Sequence, residues 1–409
     1  LKLQLSPPPV ALLQSHIGVT GSKSESNRLL LLQALYPNIT IENLSNSDDA
    51  QVMQEGLATS QGTVDIHHAG TAMRFLTGYF ASQPEKEVVL TGSQRMTERP
   101  IKILVDALRD LNAEIEYEKN EGYPPIKIKG RKLTKNKVAL PANISSQYIS
   151  SLLLIAPGLE NGLELELIGK ITSVPYIKMT LALLEQLGIK TEFIGNKVCV
   201  HPKVSVAPRT VVVESDWSSA SYFYSIAALA DVGSEIVLSS YRKNSLQGDS
   251  ALAGIYTHWG VETNFGENEI TLRKTSTQSP EMVPLDLSNA PDIAQTIAVS
   301  CFGLGVGCHL TGLHTLKIKE TDRLEALHTE LTKLGAEISV TDKELTLNPS
   351  DQILQDRTID TYNDHRMAMA FAPLAMKTSL YINDAEVVSK SYPDFWKDME
   401  RLGLGVHPL

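Results

Sequence analysis

Two kinds of apolar stretch alternate along this chain. The first is apolar around its whole circumference and opens on small polar residues. Its runs are Arg28–Leu35, Ala72–Ala81, Tyr148–Leu159, Tyr222–Ala230, Ile293–Leu304 and Met367–Met376, with openings near Ser24, Gly70, Ser145, Ser218, Asp292 and Asp364. Helices apolar on every side belong in a core. The second kind is amphipathic and ends on Gly or Asn: Asp49–Gly62, Ile101–Asn112, Pro175–Gly188, Ala251–Gly260, Asp322–Gly335 and Pro393–Gly403. Such an ending predicts a left-handed cap. Alternating, extended stretches follow several of them, as at Glu114-Ile-Glu-Tyr, Lys190-Thr-Glu-Phe, Glu262-Thr-Asn-Phe and Glu337-Ile-Ser-Val.

The alternation occurs six times, with a period of about 70 to 75 residues after a shorter first repeat. It predicts an α/β chain of two similar domains. Each would hold three units of strands plus one buried and one exposed helix, closed around its buried, parallel helices. Polar helix starts from both domains would then face the groove between them, where free N–H groups attract anions.

Composition changes this picture little. At 409 residues the chain is too long for one ordinary core. Its 42% hydrophobic and 21% charged residues are those of a soluble globular protein. No run approaches the roughly 18 apolar residues of a membrane span. Leu1–Val10, with Pro7-Pro8-Pro9, reads as neither signal nor transit peptide. Cys199, Cys301 and Cys308 form no CxxC and are expected to be free thiols in a reducing cytoplasm. A net charge of −10 counts against a nucleic-acid surface, so cations for an anionic ligand must be gathered locally.

They are gathered at the helix starts. Gly21-Ser22-Lys23-Ser24-Glu25-Ser26-Asn27-Arg28 opens the first buried helix with a Lys and an Arg about one turn apart. That is the equipment for charge-assisted bonds to phosphate or carboxylate, although a capped helix with solvated charges would use the same letters. His67-His68-Ala69-Gly70-Thr71-Ala72-Met73-Arg74 follows, then the basic loop Arg95-Met96-Thr97-Glu98-Arg99 ahead of a helix expected to carry Pro100 in its first turn. The paired histidines lack a second ligand cluster, so metal is not expected. Ser145-Ser146-Gln147 and Ser173 are uncharged starts rich in hydrogen-bonding groups, whereas Asp216-Trp217-Ser218-Ser219 reads as plain capping. Asp292 stands alone at the entrance of a very apolar helix, where it could cap or take a proton. Lys317 to Arg323 and Asn363-Asp364-His365-Arg366 are dense in both signs, and Lys390 is the last basic point. Lys23, Arg28, Arg99, Lys319, Arg323, Arg366 and Lys390, with Asp292 and Glu320 among them, imply a multiply anionic small substrate and acid/base group transfer.

Taken together, Gly21-Ser22-Lys23-Ser24, Asn27-Arg28, Ala69-Gly70-Thr71-Ala72-Met73-Arg74, Glu98-Arg99-Pro100-Ile101, Ser145-Ser146-Gln147, Lys319-Glu320-Thr321-Asp322-Arg323 and Asn363-Asp364-His365-Arg366-Met367-Ala368 closely resemble the 5-enolpyruvylshikimate-3-phosphate synthases. The resemblance covers nearly the whole chain. It implies two domains, each of three βαβαββ units in an inverse α/β barrel, with the active site in the interdomain cleft. The boundaries it implies are residues 15–213 for the N-terminal domain, with 1–14 and 214–409 for the C-terminal one. The implied reaction moves the enolpyruvyl group of phosphoenolpyruvate to the 5-hydroxyl of shikimate 3-phosphate through a tetrahedral intermediate. By resemblance, Lys23, Asp292, Glu320 and His365 are catalytic. Lys23, Ser24, Arg28, Ser145, Ser146, Gln147, Ser173, Asp292, Thr315 and Lys319 would bind shikimate 3-phosphate. Lys23, Gly70, Arg99, Gln147, Arg323, Arg366 and Lys390 would bind phosphoenolpyruvate.

No cofactor, metal, nucleic acid or membrane is implied. The expected form is a cytoplasmic monomer, with glyphosate as an inhibitor competing with phosphoenolpyruvate. His68, Phe75 and Thr315 depart from the family pattern, which has Asn, Pro and often Asn there. The sister transferase acting on UDP-N-acetylglucosamine is the alternative, but it needs a reactive Cys in a basic, Gly-rich loop. An RNA 3′-phosphate cyclase would need a basic stripe.

Overall fold

The computed structural model describes residues 1–143, 145–171 and 174–409. The chain divides into two compact units, Ser22–Val213 and Leu1–Gly21 with Glu214–Leu409. The first division falls beyond the expected residue 14 because Gln14–Ile17 pairs in parallel with Glu235–Ser239 and so stays with the second half of the chain.

In the Ser22–Val213 unit, one sheet runs in the order Gln61–Asp65, Glu87–Thr91, Ile126–Lys129, Glu114–Tyr117. The first pair is parallel and joined through the helix Gly70–Ser82; the other pairings are antiparallel. A second sheet repeats this with Lys137–Pro141, Leu163–Ile168, Lys197–Val200 and Thr191–Ile194, its parallel pair joined through Ser146–Ile155. Each is a βαβαββ unit. The third is cut short: Ile39–Glu42 pairs only with Arg209–Val212, brought back from the end of the unit. That is why the first repeat is shorter in the sequence.

The other unit holds three full sheets. Met282–Asp286, Gly307–Thr311, Leu345–Leu347 and Ile338–Val340 come from one continuous stretch. Gln14–Ile17 completes the sheet of Glu235–Ser239, Glu269–Lys274 and Val261–Phe265. Leu3–Ser6 enters between Leu380–Ile382 and Gly405–Pro408, with Arg357–Ile359 at the edge. Strand alternation does what period two requires: in Leu163–Ile168, Leu163, Leu165 and Leu167 are buried while Glu164 and Glu166 are not.

The expected apolar helices are Lys23–Leu35, Gly70–Ser82, Ser146–Ile155, Trp217–Leu229, Ala294–Leu304 and His365–Phe371. Most of their apolar residues are buried. Polar side chains between them fix their direction. Ser221 meets Thr296 (3.0 Å) and Ser225 meets Ser300 (2.8 Å), one turn further along both helices, so Trp217–Leu229 and Ala294–Leu304 run parallel. In the other unit Gln147 meets Thr71 (3.2 Å) and Ser151 donates to the Arg74 carbonyl (2.7 Å). Gly78 lies against Ser151 one turn on, where a Cβ would stand 2.5 Å from its Oγ. Those helices are parallel as well.

Most amphipathic runs close as expected, with positive φ at Asn112, Gly188, Gly260, Gly335 and Gly403. Gly62 does not. The helix Asp48–Ala58 ends on Thr59, and Gly62 lies inside the strand Gln61–Asp65. Pro100 also sits outside its helix: Ile101 is the cap of Lys102–Asp110, and the Pro100 carbonyl instead accepts from Arg74 (3.1 Å) and from the Tyr148 hydroxyl. The fourth amphipathic run is broken into the short turns Gly248–Ala251, Leu252–Ile255 and Tyr256–Trp259.

Candidate active site

In the unit containing Glu214–Leu409, the starts of two buried helices, at Asp292 and Asp364, meet around one guanidinium. Arg323 begins the helix Arg323–Lys333, which Asp322 caps through the Glu325 N–H. Its side chain is 2% exposed and is shared among three carboxylates. Nε donates to Asp364 Oδ2 (2.6 Å), Nη1 to Asp292 Oδ1 (2.9 Å) and Nη2 to Glu320 Oε2 (2.8 Å). A buried, planar cation suits this fork.

Asp292 has further cations on it, Lys319 Nζ at 3.4 Å and Arg366 Nη2 at 3.5 Å. Burial alone would raise its pKa, but Lys319, Arg366 and Arg323 hold it well below the usual carboxylate range. Arg323 and Arg366 are pushed up in return: burial works against their charge, and the carboxylates outweigh it. Asp364 caps His365–Phe371 by accepting from the Arg366 N–H (2.9 Å), and the buried His365 ring has Nδ1 4.0 Å from Asp364 Oδ1. Lys390 Nζ donates to the Asn363 carbonyl.

Two members of this cluster have no signal in chain order. Ser218 accepts from Arg366 Nη2 (3.2 Å) and donates to Asp249 Oδ2. Asp216 does cap its helix as expected, accepting from Ser219 N–H at 2.9 Å, but Ser218 beside it belongs to the charged cluster. Asp249 is buried, and burial together with the nearby Asp292 raises it to about 7. Thr315 Oγ1 is buried without a hydrogen-bond partner among the described residues.

The Ser22–Val213 unit carries its own set. Ser22 caps Lys23–Leu35. Lys23 Nζ lies 3.2 Å from Asp49 Oδ2, a partner not evident in the sequence. Arg28 is buried and donates to Thr180 Oγ1 (2.8 Å), the Ser24 carbonyl (2.8 Å) and Ser150 Oγ (3.0 Å). Its guanidinium lies over the Phe75 and Tyr176 rings, 5.3 and 5.9 Å from their centroids. Desolvation lowers it to about 10, and it stays charged at neutral pH. Phe75, at the departure from the family pattern, therefore forms one wall beside Arg28.

Gly70 begins its helix directly beneath Arg99. A Cβ there would stand 2.7 Å from Nη1 and 3.0 Å from Nη2. Arg74 is buried behind it, on the Gly70 carbonyl (3.2 Å) and facing the Tyr148 ring. His68 Nδ1 meets Ser93 Oγ at 2.8 Å. Ser145 caps Ser146–Ile155 and Gln147 reaches Thr71, so only one of the paired serines is used as a cap. Ser173 lies outside the described residues.

The expected thiols are buried or unreactive. Cys301 and Cys308 sit in the core, where burial pushes Cys301 well above its ordinary pKa, and burial raises Cys199 too. None has the basic loop that a thiolate needs.

A protein-family model described as EPSP synthase (3-phosphoshikimate 1-carboxyvinyltransferase) matches residues 54–399. The 3-phosphoshikimate 1-carboxyvinyltransferase of Bacteroides fragilis is 45% identical over 400 residues, 96% of either chain. The chain belongs to the EPSP synthase family. The Haemophilus influenzae relative of the same name is 36% identical, covering 97% of this chain and 98% of that one. Among solved structures, EPSP synthase from Acinetobacter baumannii superposes with a TM-score of 0.79 at 21% identity, covering all of both chains. The enolpyruvyl transferase NikO from Streptomyces tendae reaches 0.74 at 14% identity over 99% and 98% of the two chains. At those identities the structures speak for the fold, which is the α/β fold of EPSP synthases and enolpyruvyl transferases.

Proposed function

We infer that this chain transfers the enolpyruvyl group of phosphoenolpyruvate to the 5-hydroxyl of shikimate 3-phosphate and releases phosphate. The observation that carries the reading is the pair of carboxylates, Asp292 and Glu320, on one buried guanidinium with Lys319 and Arg366 beside them. Two acid/base groups inside a cation cluster suit proton transfers on an anionic substrate.

In this reading Asp292 takes the 5-hydroxyl proton while that oxygen bonds to C2 of phosphoenolpyruvate. Glu320 gives a proton to the methylene carbon, forming the tetrahedral intermediate. Phosphate then leaves from C2, and Glu320 takes a proton back from the methyl carbon. Lys23 and His365 assist as phosphate departs. In the free protein the cations make Asp292 a poor base. Substrate anions that take over Lys319, Arg366 and Arg323 would raise it towards useful basicity.

Ser24, Arg28, Ser145, Ser146, Gln147, Ser173, Lys319 and Thr315 are assigned to shikimate 3-phosphate. For Thr315, a buried hydroxyl without a hydrogen-bond partner among the described residues supports a substrate contact. Gly70, Arg99, Gln147, Arg323, Arg366 and Lys390 are assigned to phosphoenolpyruvate, whose carboxylate and phosphate match guanidinium forks. Gly70, which lets the Arg99 guanidinium lie close over the helix start, supports glyphosate as a competitor, and activity unaffected by millimolar glyphosate would refute it. Free cysteines support a cytoplasmic location.

The deciding assay is phosphate release from phosphoenolpyruvate with shikimate 3-phosphate or UDP-N-acetylglucosamine as acceptor. Release with the first alone is expected. Release with the second alone would overturn the reading.

A further inference from the structure

Tyr362 and Asn363, immediately before Asp364, both take left-handed backbone, with φ of 53° and 55°. A tyrosine rarely adopts this conformation, and it persists only where surroundings over-determine it. The turn is held at each end by one helix. Arg323, at the first position of Arg323–Lys333, holds Asp364 through Nε and Nη2. Two turns along the same face, Glu330 is fully buried and accepts from the Tyr362 hydroxyl on Oε1 and from the Asp360 N–H on Oε2 (3.2 Å). Lys333 compensates its charge, with Nζ 2.8 Å from both Glu330 oxygens and from Asp360 Oδ2.

A carboxylate placed in a core is costly unless it is paired and hydrogen-bonded, as Glu330 is. Here it clamps the segment 360–364, whose Asn363 carbonyl receives Lys390 and whose Asp364 receives Arg323 and the Arg366 N–H. We propose that Glu330, acting through the Tyr362 hydroxyl, is a positioning residue that sets Lys390, Arg323 and Arg366 for phosphoenolpyruvate. The inference rests on the reading of these cations as that substrate's ligands. Glu330 is fully buried, and Tyr362 is 38% exposed with its hydroxyl fixed by Glu330.

The test is steady-state kinetics of Tyr362→Phe, Glu330→Gln and the double variant, with thermal midpoints measured alongside. Tyr362→Phe deletes one hydroxyl and should raise the KM for phosphoenolpyruvate about three- to tenfold, the worth of one hydrogen bond. The KM for shikimate 3-phosphate should stay within about twofold, because one turn has moved and not the fold. The double variant should be no worse than the poorer single one, since both changes break the same contact. An unchanged phosphoenolpyruvate KM in Tyr362→Phe, a parallel rise in both KM values, or a variant that fails to fold would overturn the proposal. A wild-type protein that released no phosphate with shikimate 3-phosphate would instead remove the reading beneath it.

Discussion

Arg323 and Asp364 are joined by a two-point bond, Nε to Oδ2 at 2.6 Å and Nη2 to Oδ1 at 3.3 Å, in a place where neither side chain reaches solvent. They are far apart in sequence, and each begins or caps a different helix. The bond therefore ties two repeats of one unit together at the point where its helix starts carry their charges. Removing one partner of a buried pair costs most when the other charge is left wholly uncompensated. Asp364→Asn should lower unfolding free energy by about 2–4 kcal/mol, because Asp292 and Glu320 still hold Arg323. Urea denaturation measures this, and a change under about 0.5 kcal/mol would contradict the account.

Asp292→Ala and Glu320→Ala should separate chemistry from binding. Both are expected to reduce kcat by about 10²–10⁴-fold while substrate KM values change much less. Collapse of binding with turnover of bound substrate preserved would reverse the assignment.

Gly70→Ala should act on Arg99 and on little else. The new methyl would meet the far end of a flexible side chain, so the stability change is expected within about 1 kcal/mol. The KM for phosphoenolpyruvate should rise by up to about tenfold as the guanidinium is displaced. An unaltered KM would mean that Arg99 does not meet that substrate.

Asp249 gives a pH prediction with a definite sign. Its pKa is raised from 3.8 to about 7 in the folded protein, first by burial and then by Asp292. Between those values the unfolded chain has released the proton that the folded chain keeps, so this group's contribution falls as pH rises and levels off above about 7. The loss is up to about 4 kcal/mol at 1.36 kcal/mol per pKa unit. Asp249→Asn should remove that decline, making the variant gain on wild type as pH goes from about 4 to 7. Parallel stability curves for the two proteins would refute the assignment.

The sixfold repeat is legible in chain order. Six apolar helices opening on polar residues, alternating with amphipathic ones, are visible because burial all round and burial on one face leave different periodicities. The cation-bearing starts are legible too, since capping and charge are local properties of a few consecutive residues. Two kinds of feature depend on contacts between distant parts of the chain. One is strand exchange: Leu3–Ser6, Gln14–Ile17 and Arg209–Val212 complete sheets remote from them in sequence, and no local pattern encodes a long-range partner. The other is the company each charge keeps. Asp49 beside Lys23, Ser218 and Asp249 beside Arg366, and Glu330 beneath Tyr362 come from different elements and, apart from the first pair, from different repeats. A carboxylate's chemistry depends on neighbours within a few ångströms, and folding rather than chain order brings those neighbours in.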